Sequence, residues 1–203
     1  MRNQWHGDNR DLVKWGAVFH LVEATPRETK VVYVPMLTPD DPAPGTHLLN
    51  DLHPLPEPVV SFFRGVDQVA GLRWPPHVGF VMVPGVMLDR RPYFVTVGKA
   101  INDALGSVAR VVVLLDPDTG IEPASGANSK HVRRADLAET YGRLRDGDVL
   151  AVYQHRWRDE GWLSLARGAF AEALGIDEEG VSAFTCPTVA SDVAMLVVEK
   201  KKR

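Results

Sequence analysis

A group of polar residues directly follows the most apolar segment of the chain. The segment "ARVVVLL" (109–115) leads into Asp116, Pro117, Asp118, Thr119 and Gly120. A carboxylate held at the end of a buried strand can accept a hydrogen bond from a substrate amine, act as a base or bind a divalent cation. A polar turn closed by its own side-chain hydrogen bonds is the alternative. We interpret Asp116 and Asp118 as candidate catalytic residues.

A second polar loop supplies a candidate acid or base. His155 and Arg156 lie in "VYQHRWRDEGW" (152–162), after another apolar segment. Histidine exchanges protons near neutral pH, and arginine binds phosphate in a bidentate manner. We therefore predict a catalytic His155 and three substrate-binding residues, Thr119, Lys130 and Arg156. A structural role for this segment, as the anchored start of a helix, is an equal alternative.

The N-terminal segment "NQWHGDNRDLVKW" (3–15) is unusually polar for the beginning of a helix. Asp8 or Asn9 is the predicted N-cap, and helix N-termini bind polar or anionic groups readily. An ordinary capping segment is the alternative.

Regular strand and helix patterns position these loops. Apolar strand-like segments cover 29–37, 77–83, 109–115, 148–155, 181–186 and 193–200. Helical spacing covers 8–24, 59–72, 92–106, 133–147 and 160–175, with Gly147 and Gly175 ending the last two. The proline-dense segment 38–58 is predicted to be irregular.

This alternation predicts an α/β fold: a three-layer Rossmann-like sandwich with a mostly parallel sheet. The last two strands are joined by too few residues for a crossover, so they form an antiparallel pair. We expect one domain over residues 1–203. Ligands bind outside the carboxyl ends of such strands, which selects loops 36–46, 116–130 and 153–159.

The order of elements resembles the class I S-adenosylmethionine-dependent methyltransferases. Their amino-methylating branch carries an Asp-Pro-Pro-Tyr motif after the fourth strand, and this chain reads Asp-Pro-Asp-Thr at 116–119. Gly7, Asp11 and Lys14 match the Gly-x-x-x-Asp-x-x-Lys pattern of ribosomal RNA adenine methyltransferases. The three-cysteine-motif partner proteins are a looser match.

The resemblance implies S-adenosylmethionine as cofactor, nucleic acid as a partner and Asp116 as the acceptor of the target amine. The candidate cofactor-binding residues are Gly7, Asn9, Lys14, Pro35 and Asp40. The family's glycine-rich cofactor loop is replaced by "PMLTPDDPAPG", and Asp118 stands where an aromatic residue would hold the base.

Two other functions fit the same residues. A Mg²⁺-dependent nuclease or phosphodiesterase would bind the metal through Asp116 and Asp118, with Glu122, Asp40 or Asp41. His155 or Lys130 would then assist the leaving group. A non-catalytic binding partner with a vestigial site is the third interpretation.

Composition bounds the class of protein. A net charge of −3 neither requires nor excludes a nucleic-acid partner, and Cys186, the one cysteine, excludes an internal disulfide. The seven histidines show no metal-ligand spacing, so no dedicated metal site is predicted. No apolar segment is long enough for a membrane span, and we expect a cytoplasmic location. The oligomeric state stays open.

Overall fold

The computed structural model describes residues 7–38, 69, 71–126 and 128–201. The helices are α1 (Asn9–Glu23), α2 (Arg90–Leu105), α3 (Arg134–Arg143) and α4 (Trp162–Leu174). The strands are β1 (Thr29–Pro35), β2 (Val78–Met82), β3 (Arg110–Asp116), β4 (Gly120–Ile121), β5 (His131–Val132), β6 (Val149–His155), β7 (Ser182–Cys186) and β8 (Ala190–Glu199). A 3₁₀ turn covers Glu178–Gly180. The irregular loop predicted for 38–58 and nearly all of the helix predicted for 59–72 lie outside the described residues.

One sheet of six strands has the order β2–β1–β3–β6–β8–β7. β2, β1, β3 and β6 are parallel, β8 is antiparallel to β6, and β7 is antiparallel to β8. This confirms the Rossmann-like α/β fold with its C-terminal antiparallel pair. β2 pairs with one edge of β1, and β3, the next strand of this sheet along the chain, pairs with the other edge of β1. The strand order therefore reverses between β1 and β3.

Helices cover both faces of the sheet. α1 packs with Val31, Val112 and Ala151 in one apolar core. Residues of α2, α3 and α4 form the second core against the opposite side chains, including Val32 and Val113. Because side chains alternate along a strand, residues two apart on β3 or β6 share a face. Every residue of β3 is buried, as the uninterrupted apolar segment predicts for a strand covered on both faces.

The helix ends follow local capping chemistry. The Asp8 carboxylate accepts from the backbone N–H groups of Arg10 and Asp11, which confirms the predicted start of α1. α4 ends at Leu174 and is capped by Gly175, as predicted, and the φ of 63° at Gly175 is the left-handed conformation typical of a glycine that caps a helix. α2 begins at Arg90 after the cap Asp89, so Pro92 lies within its first turn.

Two local predictions need correction. α3 ends at Arg143 rather than at Gly147, because Leu144 is already extended with ψ near 146°. Gly147 instead lies in the following turn, with φ of 85°. The two-residue strands β4 and β5, paired in parallel, were not predicted. Strands of that length carry no measurable alternation. Among the described residues, no helix is long and apolar enough to cross a membrane.

Candidate functional site

The candidate site lies where the parallel strands end on the α1 side of the sheet. Tyr33 belongs to the core beneath α1, and so does Leu114. Two residues further along β3 is Asp116, so its side chain also points towards α1. The same alternation on β6 places His155 on the face of Tyr153. Strand geometry therefore brings residues distant in sequence to one edge of the sheet.

Asp116 is bound by two donors through one of its carboxylate oxygens. Oδ2 accepts from Lys14 Nζ at 2.8 Å and from the Tyr33 hydroxyl at 2.6 Å. Lys14 also pairs with Asp11 Oδ1 at 2.5 Å. The side chains of Lys14 and Asp116 have no solvent-exposed surface. The other oxygen of Asp116, Oδ1, is buried and has no hydrogen-bond partner among the described residues.

The electrostatics of this cluster fix its charges. Burial by itself lowers the pKa of Lys14, but the carboxylates of Asp11 and Asp116 outweigh it and raise the pKa above its usual value. Burial, together with the neighbouring Asp116 charge, raises the pKa of Tyr33 well above its usual value. At neutral pH Lys14 is therefore a cation and Tyr33 a neutral hydroxyl donor. Both hold Asp116 in one orientation.

The cluster lies at the point where the strand order reverses. Asp116 is paired in register with Pro35, the last residue of β1. The backbone carbonyl of Asp116 accepts from Met36 N–H at 3.1 Å, and the Tyr33–Asp116 hydrogen bond joins the same two strands through their side chains. Ligands of open α/β sheets bind in the crevice at such a reversal.

A cleft of about 290 Å³ opens beside this cluster. Its lining residues are Asp8, Arg10, Asp11, Pro117, Asp118, Tyr153 and His155. Three carboxylates and one guanidinium make the lining net acidic. An acidic, partly enclosed surface favours cationic ligands.

Arg10 closes one side of the cleft by linking α1 to β8. Its Nε and Nη2 donate to Asp192 Oδ2 at 2.9 and 2.6 Å, and its Nη1 donates to Asp8 Oδ2 at 3.0 Å. The hydrogen bond to Asp192 raises the pKa of Arg10. Burial raises the pKa of Asp8, and so does the charge of nearby Asp11.

His155 faces this cleft from the end of β6. Its ring lies 5.0 Å from the Tyr153 ring at 83°, an edge-on contact. Burial lowers the pKa of His155, and the Arg10 guanidinium lowers it further. The neutral imidazole therefore predominates at pH 7.

The loop after Asp116 is held mainly by its own contacts. The Thr119 hydroxyl donates to the carbonyl of Lys130 at 3.2 Å, and Lys130 Nζ lies 3.8 Å from Asp118 Oδ2. Thr119 is thus engaged within the loop, whereas Asp118 lines the cleft. Arg156 has an exposed side chain beyond β6.

Gln154 anchors the other end of this loop on the opposite face of the sheet. Its Oε1 accepts from Ile121 N–H at 2.8 Å. Gly120 has φ of 102°, and a Cβ built there would lie 2.4 Å from Gln154 Oε1. Glycine at 120 therefore serves both the turn and the close approach of Gln154.

The described residues do not support the predicted magnesium alternative. Glu122 Oε1 accepts from Arg134 N–H at the start of α3, away from Asp116. The cation bound to Asp116 is the Lys14 ammonium, and the described part of the chain contains no group of three His, Cys, Asp or Glu residues able to hold a metal. Asp40 and Asp41 lie outside the described residues.

The predicted cofactor-binding residues divide into two groups. The Pro35 carbonyl accepts from Leu37 N–H at 2.5 Å and from the Tyr93 hydroxyl at 3.0 Å, so it is already engaged. Gly7 N–H donates to Asp11 Oδ2 at 2.5 Å. Lys14 pairs with the carboxylates of Asp11 and Asp116 and is not among the residues that line the cleft. Asp40 is not described.

Asn9 differs, because its buried Oδ1 has no partner within the described structure. Asn9 Oδ1 and Asp116 Oδ1 are thus two buried acceptors without donors. The amino groups of S-adenosylmethionine are donors that such acceptors fit. The donor and acceptor chemistry of these two residues is compatible with that cofactor.

Sequence reasoning missed four residues of the site: Arg10, Tyr33, Tyr153 and Asp192. The sequence did distinguish Tyr33 from its neighbours, because it is the one aromatic residue in a valine-rich strand. Arg10 and Asp192 are 182 residues apart, and no local pattern connects them.

No family model matches the chain, and no curated protein matches it. Several solved structures have a similar fold, but their sequence identity to this chain is low. A proposed methyltransferase from Thermobifida fusca YX has 12% identity and a TM-score of 0.43, covering 96% of this chain and 80% of that one. A DUF574 family protein from Streptomyces avermitilis MA-4680 has 16% identity and a TM-score of 0.44, covering 95% and 82%. An O-methyltransferase family protein from Burkholderia thailandensis has 13% identity and a TM-score of 0.40, covering 96% and 58%.

Proposed function

We propose that the protein is a methyltransferase-like enzyme of the class I, S-adenosylmethionine-dependent type, and that it methylates an amine. One observation carries the proposal: Asp116, at the reversal of strand order, keeps a buried and unpartnered Oδ1 while Lys14 and Tyr33 hold its Oδ2. A fixed acceptor with one buried, unpartnered oxygen suits a substrate N–H donor that displaces the atoms covering it. An unpaired buried acceptor costs about 1–3 kcal/mol, which such a donor would recover.

Asp116 acts by orientation and charge in this proposal. Its free oxygen accepts an N–H of the target amine and aligns the nitrogen lone pair, and its negative charge stabilises the positive charge that develops on nitrogen. Lys14 and Tyr33 prevent the carboxylate from rotating. The bound cofactor supplies the electrophilic methyl group. Asn9 and the acidic residues of the cleft would favour binding of the positively charged part of the cofactor.

Nucleic acid is the proposed source of the amine. Arg91 follows the end of β2, and Arg156 and Arg158 follow the end of β6. All three side chains are exposed and form no ion pair with any described residue. Helices and loops that follow parallel strands begin at the same edge of the sheet, so these three arginines belong to the edge that carries the candidate site. The phosphates of a nucleic acid would bind these arginines, and the negative charge of the cleft would repel them from the cleft itself.

The test uses four single-stranded homopolymers, oligo(A), oligo(C), oligo(G) and oligo(U), with methyl-labelled S-adenosylmethionine. Adenine, cytosine and guanine carry an exocyclic amine, and uracil does not. We expect label in at least one of the first three and none in oligo(U). Label in oligo(U), or in no homopolymer, would contradict the proposal. Calorimetry with S-adenosylhomocysteine measures cofactor binding separately, and a protein that binds it without transfer would be a binding partner.

A further inference from the structure

We propose that His155 is the proton acceptor of the reaction, taking the proton that the target amine loses while Asp116 orients it. This inference rests on the proposed function, because it requires an amine substrate at Asp116. It separates two tasks, orientation and proton removal, that a single carboxylate would otherwise combine.

His155 is placed where such a proton acceptor is needed. It lines the cleft together with Pro117 and Asp118, the two residues that directly follow Asp116. Its ring contacts Tyr153 edge-on, and its ring nitrogens form no hydrogen bond with any described residue. A ring nitrogen is thus available to a ligand in the cleft. A histidine serving only the core would have its nitrogens satisfied within the protein.

Asp116 is already committed to orienting the amine. Its Oδ2 already accepts from an ammonium and a hydroxyl, at 2.8 and 2.6 Å. Both donors occupy Oδ2, which leaves the unpartnered Oδ1 for the N–H of the amine. The same two contacts make Asp116 a better fixed acceptor.

The charged groups around His155 come from three elements. Asp8 and Arg10 face it from α1, Asp192 from β8 and Asp116 from β3. Burial and the Arg10 guanidinium lower the pKa of His155, and the three carboxylates oppose this without reversing it. The imidazole is therefore neutral at pH 7 and able to accept a proton.

The step balances in atoms and electrons. The amine nitrogen uses its lone pair to form the new N–C bond, and the pair of the broken C–S bond stays on sulfur. One N–H bond of the amine then breaks, its electron pair remains on nitrogen, and the proton passes to a ring nitrogen of His155. The imidazolium returns the proton to water through the open side of the cleft.

The experiment compares the wild-type protein with His155→Gln, using His20→Gln as the matched control on exposed α1 surface. Single-turnover methyl transfer to the accepted homopolymer is measured between pH 5 and 8. The wild-type rate is expected to rise with pH below about 6.5 and then level off, because the neutral imidazole is the active form. His155→Gln is expected to lower the plateau about 10²-fold or more and to remove this rise. His20→Gln should match the wild type.

Two further measurements do not depend on turnover. Binding of S-adenosylhomocysteine should be unchanged by His155→Gln within about threefold, as expected for a group that acts on the amine. The NMR resonance of the His155 imidazole is identified as the one missing from the spectrum of His155→Gln. In the wild-type protein its chemical shift should titrate with a midpoint below pH 6.5. A wild-type rate and pH profile in His155→Gln, or a midpoint at or above 6.5, would overturn the role of His155 alone. Failure of the wild-type protein to methylate any homopolymer would overturn the proposed function and this inference together.

Discussion

Lys14 on α1 donates to Asp116 at the end of β3 across 2.8 Å, and neither side chain has any solvent-exposed surface. The two residues are 102 positions apart in sequence. Their contact joins the N-terminal helix to the central strand at the reversal of strand order. Because Asp11 shares the same ammonium, the charge of Lys14 is balanced on two sides.

Removing the Lys14 charge should destabilise the protein strongly. Lys14→Met leaves Asp11 and Asp116 buried without their cation, and breaking a buried ion pair in this way costs about 3–5 kcal/mol. Urea denaturation measures the change in unfolding free energy. The control is Lys30→Met, which removes an exposed hydrogen bond to Ser107 and should cost under about 1 kcal/mol. Equal effects of the two substitutions would contradict the assignment.

The Gly120 turn should tolerate a Cβ less well than a comparable turn. Gly120→Ala places a methyl group 2.4 Å from Gln154 Oε1 at φ of 102°. Gly126→Ala introduces the same kind of strain at φ of 113°, with no atom within 4 Å. The second substitution should cost about 1–3 kcal/mol from strain. The first should cost at least about 1 kcal/mol more, because it also disturbs the bond from Ile121 to Gln154. Thermal or urea denaturation of both variants tests this difference.

Stability should fall with pH below neutrality, in part through His155. Its pKa in the folded protein is lower than the value of about 6.5 in an unfolded chain, so protons bind the unfolded state more tightly. Its contribution to stability is therefore complete above about pH 6.5 and is lost as the pH falls towards the folded pKa. Burial lowers the pKa of His131 as well, which gives a second contribution of the same sign.

Urea denaturation at pH 7.5 and at pH 5 measures this loss. His155→Gln and His131→Gln should each reduce the pH dependence of the unfolding free energy, and the double variant should reduce it further. A single variant at His155 with the full wild-type pH dependence would show that its pKa is not lowered in the folded state.

The Arg10–Asp192 pair should contribute modestly to stability and respond to salt. Its side chains are 30% and 39% exposed, so the coupling between them is expected to be about 0.2–1 kcal/mol. A double-mutant cycle with Arg10→Gln and Asp192→Asn measures it. The coupling should shrink at 1 M salt, where the screening length falls to about 3 Å. A coupling that does not change with salt would indicate a more buried pair.

Much of the fold could be predicted because it depends on local patterns. The apolar segment before Asp116 predicted a central strand, and the polar segment at Asp8 predicted the start of α1. The end of α3 was predicted wrongly because Gly147 was expected to end the helix. The helix ends earlier, without a glycine, because the backbone of Leu144 is extended. Helix ends of this kind are set by packing and leave little trace in sequence.

The candidate site could be predicted only in part for a related reason. The loop containing Asp116 followed from strand order, and Asp11 and Lys14 followed from a motif spacing. Tyr33 became a site residue through the register that pairs Pro35 with Asp116, and that register is a long-range property of the sheet. The sequence shows the spacing of Lys14 from Asp11 but not its burial between two carboxylates, which is a property of the folded chain.

The central claim is that Asp116 receives the target amine through its free oxygen. Asp116→Asn replaces this carboxylate by a neutral amide of the same shape, and Lys14 retains Asp11 as a partner, so the variant should fold. Single-turnover methyl transfer to the accepted homopolymer should fall about 10²-fold or more, with S-adenosylhomocysteine affinity unchanged within about threefold. Tyr33→Phe, which removes one of the two donors to Oδ2, should show a smaller loss. Wild-type transfer rates in a folded Asp116→Asn protein would contradict the claim.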